Sequence, residues 1–369
     1  MEDRMENYQS DASVGRPPEL EVVARLDDRP GNPALTPDGR LIVSLHPFPY
    51  GEPSPYHMVE VMEDGSTQPF PNEEWSTAPD GEGVGISAVI GVQSDRKGVV
   101  WIMDMGGGEL PPKLVAWDTR RDELHRLITI PPHAGRPGSL QQDLTIDEGR
   151  GAIFIADLNE RGALLGPSDP AIVAVDLKTG RVRRALHAHQ SLQPEEDLSV
   201  QIEGRPIRAE NPEGEVEEPK LGLDPIVIDP ANEWVYYGSI HGTSVYRVRA
   251  VDLLDENLSP DALGERVERY GEKAPCDGIS IDVAGNIYIT DLENNAVGVT
   301  APDGSYRVLA RDDERVLWPD GFSYGPDGYF YVTVNQLHRS AVLNAGEETS
   351  EPPFLVMRFR PLAPSAIGR

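Results

Sequence analysis

One phrase returns six times along this chain: a polar residue, an apolar run, a turn carrying Asp or Gly, and a second apolar run. The copies begin near Asn32, Ile90, Asp143, Asp224, Asp277 and Asp320; two of them read Asp277-GISIDVAGNIYITD and Asp320-GFSYGPDGYFYVTVN. Self-similarity at roughly 40–50 residues marks a β-propeller, in which each copy is one blade of four antiparallel strands. The turns fall at Asp38, Asp95, Asp147, Asp229, Asp282 and Asp327, with separations of 57, 52, 82, 53 and 45 residues. Five units are therefore alike and one carries an insertion, at about 190–222. The fifth unit supplies ISID, NIYIT, AVGVT and SYRVLA, the four strands of one blade. The sixth lacks a fourth strand, and LEVVARL (20–26) is left over before the first unit. The expected fold is all-β: a six-bladed β-propeller over 20–369 as a single domain. The N-terminal strand completes its last blade, and a polar tail precedes it at 1–19.

A closed ring of short strands tolerates the modest apolar content of 38 %, and its turns consume Gly and Pro, present 36 and 34 times. The net charge of −29 opposes contact with phosphate backbones and anionic lipid, so neither nucleic acid nor membrane is an expected partner. Cys276 is the single cysteine, which excludes an intrachain disulfide. The start, MEDRMENYQSDASVGRPPE, has no basic cluster and no apolar stretch. It does not read as a signal peptide, and the expected location is cytoplasmic. No Gly-rich phosphate loop, nucleophile elbow, HExxH or CxxC pattern is present, so no organic cofactor is expected. The insertion reads equally as a lid over the channel or a solvated decoration, with a small hairpin in SVQIEGRPIR. The aromatics Phe48, Tyr50, Tyr56 and Trp75 read as pocket lining or as anchors, and DLLDENLSPDALGERV (252–267) reads as helical with Ser259 as its cap.

Strand direction locates the chemistry. The residue that starts an inner strand and the one that ends the returning strand share one face. That face gathers Asn32 and His46, Gln142, Asp143 and Asp157, Asp224 and Ser239, Asp277 and Asp291, and Asp320 and Asn335; the second unit adds Asp104. Asp224, Asp277 and Asp320 should crowd the channel mouth. Converging carboxylates require a cation, basic partners or raised pKa values. Their hard oxygens suit one Ca²⁺ or Mg²⁺, with Zn²⁺ less suited; the same residues also serve as caps for turns. His241, His338 and His46 follow second strands and are candidate bases or ligand contacts, with Asp143 or His338 the proton-transfer candidate and Asp277 catalytic or metal-holding. The ligand-contact set is Asn32, His46, Gln142, His241, Asp291, Asp320 and Asn335, around a small organic molecule. The Asp residues at the opposite turns belong to turn chemistry.

The phrases SLHPF (44–48), DPIVIDPANEWVYYGSIHGTSVYRV (224–248), GEKAPCDGISIDVAGNIYITDLENNAV (271–297) and LWPDGFSYGPDGYFYVTVNQLHR (317–339) resemble a bacterial member of the Yellow/major royal jelly protein family, over nearly the whole chain from residue 20. The resemblance implies a six-bladed propeller. Insect members of the family are linked to pigment chemistry and to binding small amines. The gluconolactonase/regucalcin propellers are more distantly similar; they hold one divalent metal with a Glu, an Asn and an Asp. Asp277 matches that Asp, Asp224 stands at the Asn position, and Gly31, beside Asn32, stands where the Glu would be. One ligand is absent and one changed, which leaves metal binding open and counts against gluconolactonase chemistry. The expected function is small-molecule binding at the mouth, with metal-assisted lactone hydrolysis or tautomerisation as the enzymatic form and non-catalytic amine or protein binding as the alternative.

Overall fold

The computed structural model describes residues 17–80, 83–135, 139–158, 164–165, 169–211 and 214–369. The greater part of the expected N-terminal tail, 1–16, lies outside them. Among the described residues the strands form six four-stranded antiparallel sheets and two small two-stranded ones. The six inner strands are Pro30–Leu35, Val89–Ser94, Gln141–Asp147, Leu223–Ile228, Cys276–Ile281 and Pro319–Tyr324. Each lies beside the next and the last lies beside the first, so the sheets close into a ring. Glu21–Leu26 pairs antiparallel with Phe354–Phe359 and supplies the outermost strand of the sixth blade, as the leftover N-terminal run implied. No helix among these residues is long and apolar enough to cross a membrane.

The strands are apolar on both faces because each blade is sandwiched between two others. Six of the apolar clusters are layers between neighbouring blades. Ile42, Met58 and Trp117 fill the layer between blades one and two, and Tyr288, Phe330 and Phe359 that between five and six. In the latter the Tyr288 and Phe330 rings sit 4.8 Å apart and tilted, a geometry worth about 1 kcal/mol beyond the area it buries. The 252–267 stretch is two short helices, Ala250–Leu254 and Pro260–Gly264, rather than one. Ser259 does cap the second, accepting from the Ala262 N–H at 3.2 Å, while Pro260 cannot continue a helix from before it.

An inner strand has one edge with no strand to pair with. Side chains of the neighbouring inner strand answer several of those N–H groups. Ser323 accepts from the Leu35 N–H, Gln93 from the Ile146 N–H and Thr145 from the Ile228 N–H, each at 2.9 Å. Every inner strand also carries a break in register near its start. The breaks fall at Pro30/Pro33, Val89/Val92, Gln141/Leu144, Leu223/Ile226, Cys276/Ile279 and Pro319/Phe322. Two residues bulge out in each. Gly91 and Gly278 occupy the second bulge position where the next blade's backbone passes: a Cβ there would lie 2.1 Å from the Gln142 carbonyl oxygen and 2.3 Å from that of Asp320. Thr290 on the returning strand accepts from the bulged Asp277 and Gly278 N–H groups at 3.2 and 2.8 Å.

The end of the ring away from the bulges is crossed by the C-terminal segment. The buried Arg369 guanidinium donates to the Ile228 and Ile146 carbonyls, both at 3.1 Å, and to Asn232 Oδ1 at 2.6 Å, while its own carbonyl accepts from the Tyr324 N–H at 2.5 Å. One residue thus joins blades three, four and six. Arg369→Ala leaves those carbonyls unanswered, and the expected cost is about 3 kcal/mol, by hydrogen bonds to a charged group. Urea unfolding checks this; an unchanged midpoint would show that the crossing holds nothing together.

Candidate functional site

The bulges aim their residues into the opposite end of the channel. Asn32, Asp224, Asp277 and Asp320 are buried there, and Asp143 is partly exposed. Asn32 Nδ2 donates to Asp143 Oδ1, linking blade one to blade three across the side-chain-free Gly91 of blade two. Asn335 Nδ2 donates to Asp320 and, at 3.1 Å, to the Pro30 carbonyl. The Trp318 indole N–H donates to Asp277 Oδ2 at 2.6 Å. Both Asp224 oxygens are buried without a hydrogen-bond partner, and so is Asn32 Oδ1.

The four carboxyls repel one another, and among the described residues no Arg or Lys pairs with any of them. Burial and the Asp277 charge push Asp143 up to about 8, although Asn32 pulls the other way. Burial pushes Asp277 only to about 6, because the Trp318 N–H stabilises its charge. Asp224 and Asp320 rise well above the ordinary range, from burial first and then from the neighbouring carboxylates.

The remaining expected site residues are placed differently. Asp291 is fully buried and accepts from the Asn294 N–H at 3.1 Å, from Asn294 Nδ2 at 2.7 Å and from Tyr306, so its oxygens hold a loop. Asp104 holds another, accepting from the Ser87, Ala88 and Gly106 N–H groups while Lys113 lies 3.1 Å away. His46 Nδ1 accepts from the Phe48 N–H at 3.1 Å, and burial first, then Arg29, lowers its pKa to about 3. His241 Nδ1 accepts from the Leu221 N–H at 3.1 Å. That bond fixes the Nε2–H tautomer, and the N–H is buried with no acceptor. Burial and then Lys220 and Lys273 lower the His241 pKa to about 3, so it is an oriented neutral donor and not a base. His338 Nε2 lies 2.9 Å from Glu203 and its ring stacks on Trp318, 6.0 Å away and 9° from parallel. Gln142 is partly exposed, whereas Gln141 one residue earlier is fully buried with both amide atoms unpartnered. Burial pushes the Cys276 thiol up to about 11, which leaves it a packed, un-ionised side chain. Trp75 packs on Trp117 and Tyr50 on Phe354, so these two aromatics are anchors.

A seventh apolar cluster lies over the mouth. Val200, Ile202 and Ile207 of the insertion pack with Leu158, Ile240 and Trp318 of the blades. The hairpin Gln201–Ile202/Arg205–Pro206 forms as expected, and its Glu203 also pairs with Arg339 at 2.7 Å. Residues 200–207 of the insertion pack on the mouth end of the ring, while 214–217 stand in solvent. Trp318 was not among the expected site residues; the signal was its place directly before Pro319-Asp320.

The donor chemistry suits a hard divalent cation, since Asp224, Asp277 and Asp320 offer oxygens and Asp224 lacks any other partner. The side chains are not drawn into a cage, however: among the described residues no three His, Cys, Asp or Glu side chains group so as to hold a metal ion.

Comparison with known proteins fits this architecture. The profile of the family described as Major royal jelly protein matches residues 87–350. No curated protein matches in sequence. A gluconolactonase from Xanthomonas campestris is similar in structure at 12 % identity, covering 94 % of this chain and 96 % of that one, with a TM-score of 0.56. A luciferin-regenerating enzyme is similar at 10 % identity, 95 % and 98 % coverage and a TM-score of 0.57. The calcium-binding protein regucalcin from Agrobacterium tumefaciens is similar at 14 % identity, 94 % and 98 % coverage and a TM-score of 0.52. At such identities these likenesses show the fold.

The raised carboxyl at position 224 sets a stability test. The folded state holds its proton to higher pH than the unfolded chain, so this group lowers stability as pH rises from about 4 through its folded value. In chelator-containing buffer, Asp224→Asn is expected to melt roughly 2–4 °C above the parent at pH 8, with the gap closing toward pH 4. A variant that melts lower at pH 8 would mean that the carboxylate is satisfied.

Proposed function

The chain belongs to the major royal jelly protein family, and from that premise we propose that its acidic channel mouth binds a small carbonyl compound and transfers a proton on it. The observation that carries the reading is the convergence of four Asp carboxyls from blades three to six with no basic partner among the described residues, Asp224 having no hydrogen-bond partner there at all. Two of them are split in acidity. Burial raises both, and the Trp318 N–H holds Asp277 the more acidic of the pair, which fits Asp277 as the base and Asp143 as the acid. Asp277 would take a proton from a carbon beside the carbonyl while Asp143 protonates the carbonyl oxygen, or it would take one from a water attacking the carbonyl, the ring C–O bond then breaking and Asp143 protonating the departing alkoxide. The first gives a tautomerase and the second a lactone hydrolase; the likeness to a gluconolactonase supports a lactone as the first compound to try.

Asp224, Asp277 and Asp320 carry the oxygens a divalent cation would use, though their side chains would first have to turn toward one another; such a cation would polarise the carbonyl and acidify water. The unpaired acidic cluster also favours a second reading, a non-catalytic site for a small organic cation paired with the carboxylates.

The test combines metal analysis with a screen of lactones, catechol derivatives and amines on the parent and on Asp277→Asn. Turnover should be bell-shaped in pH, with apparent limbs near 6 and 8 that belong to the coupled pair. It should fall at least about 100-fold in the variant, the usual contribution of a positioned acid or base. Amine binding without turnover would replace the enzymatic reading with the second. Turnover untouched by Asp277→Asn would refute the assignment.

A further inference from the structure

We propose that Trp318 is a positioning residue that ties the covering hairpin to Asp277, so that its hydrogen bond to that carboxylate forms only when the mouth is covered. The inference rests on the reading of Asp277 as the functional carboxylate. Trp318 is buried, with its N–H on Asp277 Oδ2 at 2.6 Å. Its backbone is left-handed, φ +56°, a conformation a large side chain adopts only when its surroundings impose it.

Blade six holds that backbone, the Trp318 carbonyl accepting from the Asn335 N–H at 3.1 Å and the Leu317 carbonyl from the Gln336 N–H at 3.0 Å, while the cover packs on the ring. One face of the indole stacks on His338, and His338 Nε2 is held by Glu203 at the hairpin tip. The ring also shares its apolar cluster with Ile202 and Ile207 of the hairpin. Glu203 in turn receives Arg339 Nε at 2.9 Å and Nη2 at 2.7 Å, so one carboxylate clasps the loop that carries His338. A second tie runs through the backbone, where the Arg208 N–H donates to Leu343 at 2.9 Å and the Ala345 N–H to Arg208 at 2.9 Å. If the clasp opens, the indole loses the anchored His338 ring on one face and the hairpin's Ile202 and Ile207 from its cluster, while its backbone stays held by blade six. The cheapest relaxation turns the indole away from Asp277. Trp318 thereby makes the state of the carboxylate depend on the state of the cover, without itself touching ligand.

The experiment needs no ligand and no turnover, so it is decided separately from the function proposed above. Glu203→Gln weakens the clasp. Hydrogen exchange at 201–207 should quicken about tenfold, as expected for losing charge-assisted bonds. Ultraviolet resonance Raman reports how strongly an indole N–H is hydrogen bonded. The Trp318 band, identified by difference against Trp318→Phe, should move toward the unbonded position in Glu203→Gln. If Trp318→Phe does not fold, the difference between Asp277→Ala and the parent identifies the same band. A hairpin that loosens while the band stays put would overturn the coupling. So would a hairpin that does not loosen, because Glu203 would then not be the clasp.

Discussion

Everything at the working end of this molecule depends on how the inner strands meet. Each has an edge with no strand beside it, and a free edge is a liability. The ring answers several of those N–H groups from next door, through Ser323, Gln93 and Thr145. It also lets the strands approach until glycine is required at Gly91 and Gly278. The bulge follows from the same crowding: the strand starts nearest the axis cannot hold a regular register and throw two residues out of it. Those residues belong to no blade core. They project into the channel, which frees them for chemistry.

Filling that position with carboxylates is costly. Four Asp side chains, three of them buried, sit among like charges in a protein whose net charge is already −29. The interblade layers, packed with aromatic and branched side chains, supply the stability that tolerates them. A site that departs from local stability rules inside a scaffold that obeys them is the usual mark of function. The contrast with Asp291 and Asp104 makes the point, since both are as deeply buried and both are answered by neighbouring donors.

The ring and its closure were legible because turn chemistry repeats. Asp282 shows why: it accepts from the Ala284 and Asn286 N–H groups, as Asp95 does from those of Lys97 and Val99, and such local geometry recurs in the sequence. The face holding Asn32, Asp143, Asp224, Asp277 and Asp320 was legible from strand direction alone. Direction does not tell an inward carboxylate from one that caps a loop, so Asp277 and Asp291 looked alike. The histidines illustrate a different limit. His46, His241 and His338 lie at that end, but their orientation is set by Phe48, Leu221 and Glu203, contacts that no periodicity encodes. Glu203 and His338 are 135 positions apart, and only the folded ring brings them together.

The bulges also separate two kinds of heritable change. At the second position, Gly91 and Gly278 face the next blade's backbone, so those two letters are fixed by geometry, whereas Asn32, Asp143, Pro225 and Gly321 at the same position are not held that way. At the first position the chain reads Gly31, Ile90, Gln142, Asp224, Asp277 and Asp320, a mixed set with no common chemistry. A lineage built on this ring can therefore rewrite its ligand preference through a short word, the first-position letters together with those at Asn32 and Asp143, one blade at a time, without renegotiating the cores between blades. The same word is the natural library for laboratory evolution.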